Sequence, residues 1–313
     1  MIKLLFKMSA LVVMLFLMNM PAFARLNIVT LIYPQYDVVK HIVKDKADVA
    51  MLLKPGMEVH TFEPVPGDIE KILGCDLFIY TGSEHDEWVE ELLSSQGKKV
   101  KTLILTETMP KLYEEEMVEG MTAEEVEDED ESNSSRGPEF DEHIWTSPRR
   151  DIQMIELFCE KLAALDPENA EFFRANARDY AARFTALDKD LRDLIGKSER
   201  KTIIMADRFP FLYLAKDYGL DYFAAFKGCA AESEASASTV AFLISKTREL
   251  KVPAVLTVEF SNEKIGRTIA AETGVKVLTL NSCHNVSPEQ FKSQLSMAEL
   301  MRANLEVLKE VLN

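Results

Sequence analysis

From Leu26 onward, short apolar runs alternate with stretches in which apolar residues recur every three or four positions. Leu26–Ile32, Asp48–Leu53, Leu77–Tyr80 and Lys101–Leu105 read as strands, with Tyr36–Val43, Asp68–Leu73 and His85–Leu93 as the helices between them. Strands separated by single helices and short connections predict parallel βαβ units. A parallel sheet covered on both faces takes its ligands at the carboxyl ends of its strands. The pattern lapses after residue 113 and resumes with helical spacing at Ile152–Leu165.

The longest periodic stretch follows. Phe173, Ala177, Tyr180, Phe184, Leu187, Leu191 and Leu194 fall at alternating intervals of four and three, one apolar stripe on a continuous helix. Pro167 suits its first turn and Gly196 its end. From Pro167 to Ile195 such a helix measures about 43 Å, enough to reach across two compact lobes. The alternation then returns. Thr202–Met205, Tyr222–Phe226, Ala254–Glu259 and Val275–Leu280 read as strands, and Phe211–Tyr218, Thr239–Leu250, Glu263–Thr273 and Phe291–Leu312 as helices. The predicted fold is α/β, with two βα lobes (25–165 and 198–313), each with a parallel sheet, joined by one long backbone helix (166–197).

Residues 1–24 stand apart. Lys3 and Lys7 precede an apolar run from Ala10 to Met18, and Ala22-Phe23-Ala24 has the small-x-small form of a signal-peptide cleavage site. The run is shorter than the ~20 residues that cross a bilayer. Cleavage after Ala24 would leave Arg25, not cysteine, at the new terminus, so no lipid anchor is expected and the mature chain belongs in a periplasm.

Loss of Lys3 and Lys7 takes the formal net charge from -16 to -18. Such acidity repels nucleic acid and anionic membrane alike. Most of it lies between Glu114 and Glu142, where 14 acidic residues accompany one base, Arg136. A like-charge block without apolar period is expected to be a mobile surface loop (114–142). The four cysteines, Cys75, Cys159, Cys229 and Cys283, include no C-x-x-C pair. Cys229 and Cys283 fall in loops, and an exported chain makes a bridge between them the expected disulfide.

Three of the five histidines, His60, His143 and His284, sit where strands run out into loops, far apart in sequence. Neutral imidazole is the commonest transition-metal side-chain ligand. His60 belongs to Lys54-Pro55-Gly56-Met57-Glu58-Val59-His60-Thr61-Phe62-Glu63-Pro64, directly after a strand; His143 lies in Asp141-Glu142-His143-Ile144-Trp145-Thr146-Ser147-Pro148, where a carboxylate can orient the ring through its second nitrogen. His41 and His85 fall within or at the start of helices and read as ordinary helix residues.

These two segments, together with Tyr218-Gly219-Leu220, the long helix and the order of lobes, resemble the zinc- and manganese-type substrate-binding proteins of bacterial ABC transporters. The resemblance spans essentially the whole mature chain. It implies one divalent metal in the interlobe cleft, delivered to a membrane permease by a monomeric protein that is not an enzyme, with His60 and His143 as ligands from the first lobe. The second lobe departs from the family pattern. The position of the third ligand, ten residues before Tyr218, is Arg208, and a guanidinium cannot ligate. The position of the fourth, an aspartate, is Asn281, and His284 is expected to replace it. Arg208 then requires a carboxylate partner; Glu232, Glu234 and Glu259 are candidates for that role or for a fourth ligand. Three imidazoles and an oxygen suit Zn2+, whereas Mn2+ favours more carboxylates. Two other readings compete: a module that uses Arg208 to bind an anion or metal chelate, and an exported zinc hydrolase, for which no H-E-x-x-H motif is present.

Overall fold

The computed structural model describes residues 25–59, 62–96, 99–122, 140–228 and 234–313. The first sheet contains β1 (Leu26–Thr30), β2 (Ala47–Met51), β3 (Leu77–Tyr80) and β4 (Thr102–Ile104). Its order is β2-β1-β3-β4 and every pairing is parallel. Helices α1 (Tyr33–Val43), α2 (Pro66–Gly74) and α3 (Glu87–Ser95) connect the strands, and α4 (Leu105–Thr108) follows β4. Pro34 pre-sets the first turn of α1, while the Gln35 side chain accepts from the main-chain N–H groups of Leu31 and Ile32. Leu31 N also donates to Ile79 O (3.1 Å), so it is Ile32 N, beyond the end of β1, that Gln35 serves.

Two antiparallel helices follow, α5 (Pro148–Leu165) and α6 (Ala170–Lys197). Pro167 is not in the first turn of α6 as expected: Asp166 accepts from the main chain and side chain of Asn169 in a turn that delays the start to Ala170. The apolar stripe of α6 feeds two cores. Phe173, Ala177, Tyr180, Phe184 and Leu187 pack into the first; Leu191 and Ile195 pack into the second.

The second sheet repeats the topology of the first. Strands β5 (Thr202–Arg208), β6 (Asp221–Phe226), β7 (Ala254–Thr257) and β8 (Lys276–Thr279) run parallel in the order β6-β5-β7-β8. Helices α7 (Leu212–Tyr218), α8 (Ala237–Leu250) and α9 (Lys264–Thr273) connect them. The helix expected over Phe291–Leu312 is two, α10 (Pro288–Lys292) and α11 (Met297–Leu312). The break is chemical: Gln294 takes a positive φ, and Ser296 and Glu299 form a reciprocal capping box that starts α11 afresh. The chain then returns to the first core, to which Cys283, Val286, Met297, Ala298, Leu300 and Met301 all contribute.

Two expectations need correction. Residues 114–122 were expected in a mobile loop but are docked on the second sheet. Glu116 accepts from Lys216 (2.8 Å) and the Tyr222 hydroxyl (3.0 Å), and Thr122 N donates to Ala225 O (2.9 Å). Val118 and Met121 pack on the second core, so this part does have apolar anchors. Residues 123–139 lie outside the described residues. The expected Cys229–Cys283 bridge is not supported: Cys229 also lies outside the described residues, and Cys283 is a free, buried thiol turned into the first core. No helix among the described residues is long and apolar enough to cross a membrane.

Candidate metal centre

The loops that leave the carboxyl ends of β2, β7 and β8 meet the turn that precedes α5. Within that turn His143 is wholly buried. Its main-chain N–H donates to Asp141 Oδ1 (2.8 Å), and its ring Nδ1 lies 3.3 Å from the same oxygen. A carboxylate on Nδ1 favours the tautomer that leaves Nε2 unprotonated and able to coordinate. Asp141 is itself held by the Tyr213 hydroxyl, which donates to its carbonyl (3.0 Å).

The neighbouring carboxylate takes the other side of the ring. Glu142 Oε1 is 3.9 Å from His143 Nε2, buried, and without a hydrogen-bond partner among the described residues. Leaving a carboxylate oxygen bare in the interior is costly unless a cation answers it. His284 closes the group. Its ring meets that of His143 edge-on with centroids 5.3 Å apart, and Glu142, His143 and His284 each offer a ligand atom within 4.8 Å of the others.

Second-lobe hydrogen bonds hold His284 in place. Glu259 accepts from the main-chain N–H and hydroxyl of Ser282 (2.6 and 2.7 Å), and the Ser282 hydroxyl accepts from His284 N (3.2 Å). The Trp145 indole donates to Ser282 O (2.9 Å), joining the His143 turn to the His284 loop. The Asn285 amide donates to Lys54 O and Met57 O (2.9 and 2.8 Å), and Gly56 N donates to Val286 O, so the loop that runs on to His60 is tied to the same place. His60 itself lies outside the described residues.

Electrostatics favour a cation here. Burial opposes charge on His143, but Asp141 first, then Glu142 and Glu115, outweigh it and raise its pKa. Burial, with the Glu142 charge next, pushes Asp86 up to about 7. Gly228 closes one wall: a Cβ there would come within 3.1 Å of Asp141 Oδ2 and 3.3 Å of His143 Cε1.

The remaining expected residues lie elsewhere. Of the carboxylates expected to pair with Arg208, neither Glu234 nor Glu259 does so; Arg208 reaches across the cleft to Glu58, Nη2 to Oε2 3.2 Å. Both Glu259 oxygens are engaged by Ser282, Glu234 pairs with Lys264 on the surface (2.8 Å), and Glu232 lies outside the described residues. Asn281 exchanges hydrogen bonds with Asn304. His41 stacks on Tyr180 (3.8 Å), and His85 sits in the turn Glu84–Asp86. Glu142 is the residue that sequence reasoning passed over. Its signal is the Asp-Glu-His run, in which the sequence offers two acids and assigns a carboxylate only the orienting of the ring.

The family described as zinc-uptake complex component A, periplasmic, matches residues 28–311 of the chain. The high-affinity zinc uptake system protein ZnuA of Bacillus subtilis is 32% identical over 288 residues, 92% of this chain and 88% of that protein. The zinc-binding lipoprotein AdcA of Streptococcus pneumoniae is 33% identical over 287 residues, 91% of this chain but 56% of that protein, so the chain spans little more than half of that relative's length. The crystal structure of the Zn(II)-bound ZnuA-like domain of the same AdcA superimposes with a TM-score of 0.74 at 30% identity, covering 92% of this chain and 99% of that domain.

Proposed function

This chain belongs to the periplasmic zinc-uptake component A family, and we propose that it captures a zinc ion in the cleft and delivers it to an ABC-transporter permease. The observation that carries the reading is the bare, buried Glu142 oxygen facing two imidazoles. Glu142, His143 Nε2 and His284 supply three donors, and His60, on the loop clamped by Asn285, supplies the fourth. Two or three nitrogens with a carboxylate match tetrahedral zinc, while a set this rich in imidazole disfavours manganese. In this reading the 25–165 and 198–313 lobes close on the ion from either side of the 166–197 helix. The protein is exported to the periplasm, cleaved after Ala24, monomeric and without catalytic activity; zinc is its cargo.

Equilibrium titration of metal-free protein with zinc, against a competing chelator, tests the reading. One zinc per chain is expected, with manganese a poor competitor. Asp141→Asn should weaken binding about 10–100-fold, as loss of a ring-orienting partner does, and Glu142→Gln, His143→Ala and His284→Ala should each weaken it more. Parent-like affinity in the Glu142 or His284 variant removes that residue from the ligand set. Absence of zinc binding in the parent overturns the function.

A further inference from the structure

We propose that Glu58 and Arg208 form a latch across the cleft that controls how fast bound metal leaves. The inference rests on the capture function proposed above, and it assigns a positioning role to two residues outside the ligand set. Glu58 belongs to the loop after β2 in the first lobe, and Arg208 is the last residue of β5 in the second. Their side chains meet at 3.2 Å and line the same small cavity as His143 and His284.

Both arms are aimed by the backbone. The β5–β6 register shifts between Met205 and Arg208, a break in the ladder that turns the last side chain of β5 out of its regular alternation. Arg208 N donates to Asp207 Oδ1 (2.8 Å), and Asp207 Oδ2 accepts from the Ser261 hydroxyl, which fixes that end. On the other side, the Asn285 amide grips Lys54 O and Met57 O, immediately before Glu58. The ion pair thus joins the loop that leads to His60, the end of β5 and, through Asn285, the His284 loop. A guanidinium this close to a cation site has no ligating use and opposes the cation by its charge. Pairing with Glu58 offsets that charge and makes lobe closure its productive outcome.

Plain field effects and a latch predict different signs. By charge alone, Glu58→Gln should quicken metal release and Arg208→Gln should slow it. A latch makes both substitutions quicken release, by about two- to fivefold, the reach of a half-exposed ion pair. The double variant should release no faster than either single one, and the exchange Glu58→Arg with Arg208→Glu should return toward the parent rate. Raising ionic strength from about 0.05 M to 0.5 M should speed release from the parent but not from the single variants, because screening already weakens such a pair. Stopped-flow transfer of zinc from the full chain to a chelator reads all of these. Opposite signs for the single variants, additivity in the double variant, or unchanged rates overturn the latch. A double-mutant cycle on thermal stability of the metal-free protein tests the pair without zinc, and zero coupling there overturns it as well. Failure of the parent to bind zinc counts against the capture function alone.

Discussion

At the residue scale, two adjacent acids with the same chemistry occupy opposite sides of one imidazole. Asp141 bonds the main chain and Nδ1 of His143, whereas Glu142 faces Nε2 with an oxygen that no described residue satisfies. The Asp-Glu-His run makes a metal-binding turn legible, but not which acid orients and which faces the ion, because that depends on the backbone of a turn with no repeat. Asp86, farther back, yields a pH prediction. It is buried and accepts from Thr81 N (3.1 Å) and Gly82 N (2.8 Å), and burial lifts its pKa from 3.8 to about 7. Between those values the folded protein holds a proton that the unfolded chain has lost, so stability of the metal-free protein should fall as pH rises from about 4 to 7. Asp86→Asn keeps the acceptor and removes the titration. Its melting temperature should therefore lose that part of the downward slope; an unchanged slope assigns the titration to another group.

At the element scale, the start of α5 is fixed to α7 by a buried ion pair. Arg150 forks onto both oxygens of Asp217 (2.9 and 3.1 Å) and donates to Pro110 O and Lys111 O. Burial works against the Asp217 charge, but bonds from Arg150, Ser147 and Tyr113 prevail and hold its pKa below the usual carboxylate range. Arg150→Ala should destabilise the protein by about 3–5 kcal/mol, because it strands a buried carboxylate. Replacing both residues by apolar ones of similar size should cost much less. Equal losses in chemical denaturation would show that the pair matters by packing rather than by charge. The same turn presents His143, so the Arg150→Ala loss should be accompanied by weaker zinc binding. Legibility at this scale was high for α6, whose stripe is a local period. It was low for α10 and α11, where a capping box interrupts an otherwise helical pattern.

At the scale of the whole molecule, the chain crosses between cores more than once. The stripe of α6 enters both, and residues from Cys283 to Met301 return to the first. The His143 turn, the His284 loop and the Glu58 loop are consequently tied by long-range bonds of the protein itself, through Trp145 to Ser282 and Asn285 to Lys54. A ligand that binds only this folded arrangement stabilises it by mass action. Free zinc at 100 times its dissociation constant should add ~2.7 kcal/mol to the unfolding free energy. A chelator should reverse the gain, and His284→Ala should forfeit most of it at the same zinc concentration. A parent melting temperature insensitive to zinc would contradict a site built from both lobes.

What the amino-acid sequence determined by itself was everything carried by short-range pattern. The β/α alternation, the long helix, the two-lobe α/β architecture and the placing of His284 on a strand-end loop all follow from periodicity and turn chemistry within a few residues, whereas His143 lies in the turn before α5 and not at a strand end. The family resemblance was readable for the same reason, since its motifs are contiguous. Tertiary structure alone decided which side chains meet across separate elements, from 23 residues apart to 150. It turned Glu259 toward Ser282, left Glu234 to Lys264 on the surface, and gave Arg208 to Glu58. It also buried Cys283 as a thiol and docked Glu116 on the second sheet. Such choices are made when rigid elements dock, because which charges then face one another depends on the relative position of separate strands, loops and lobes and not on local conformational preference.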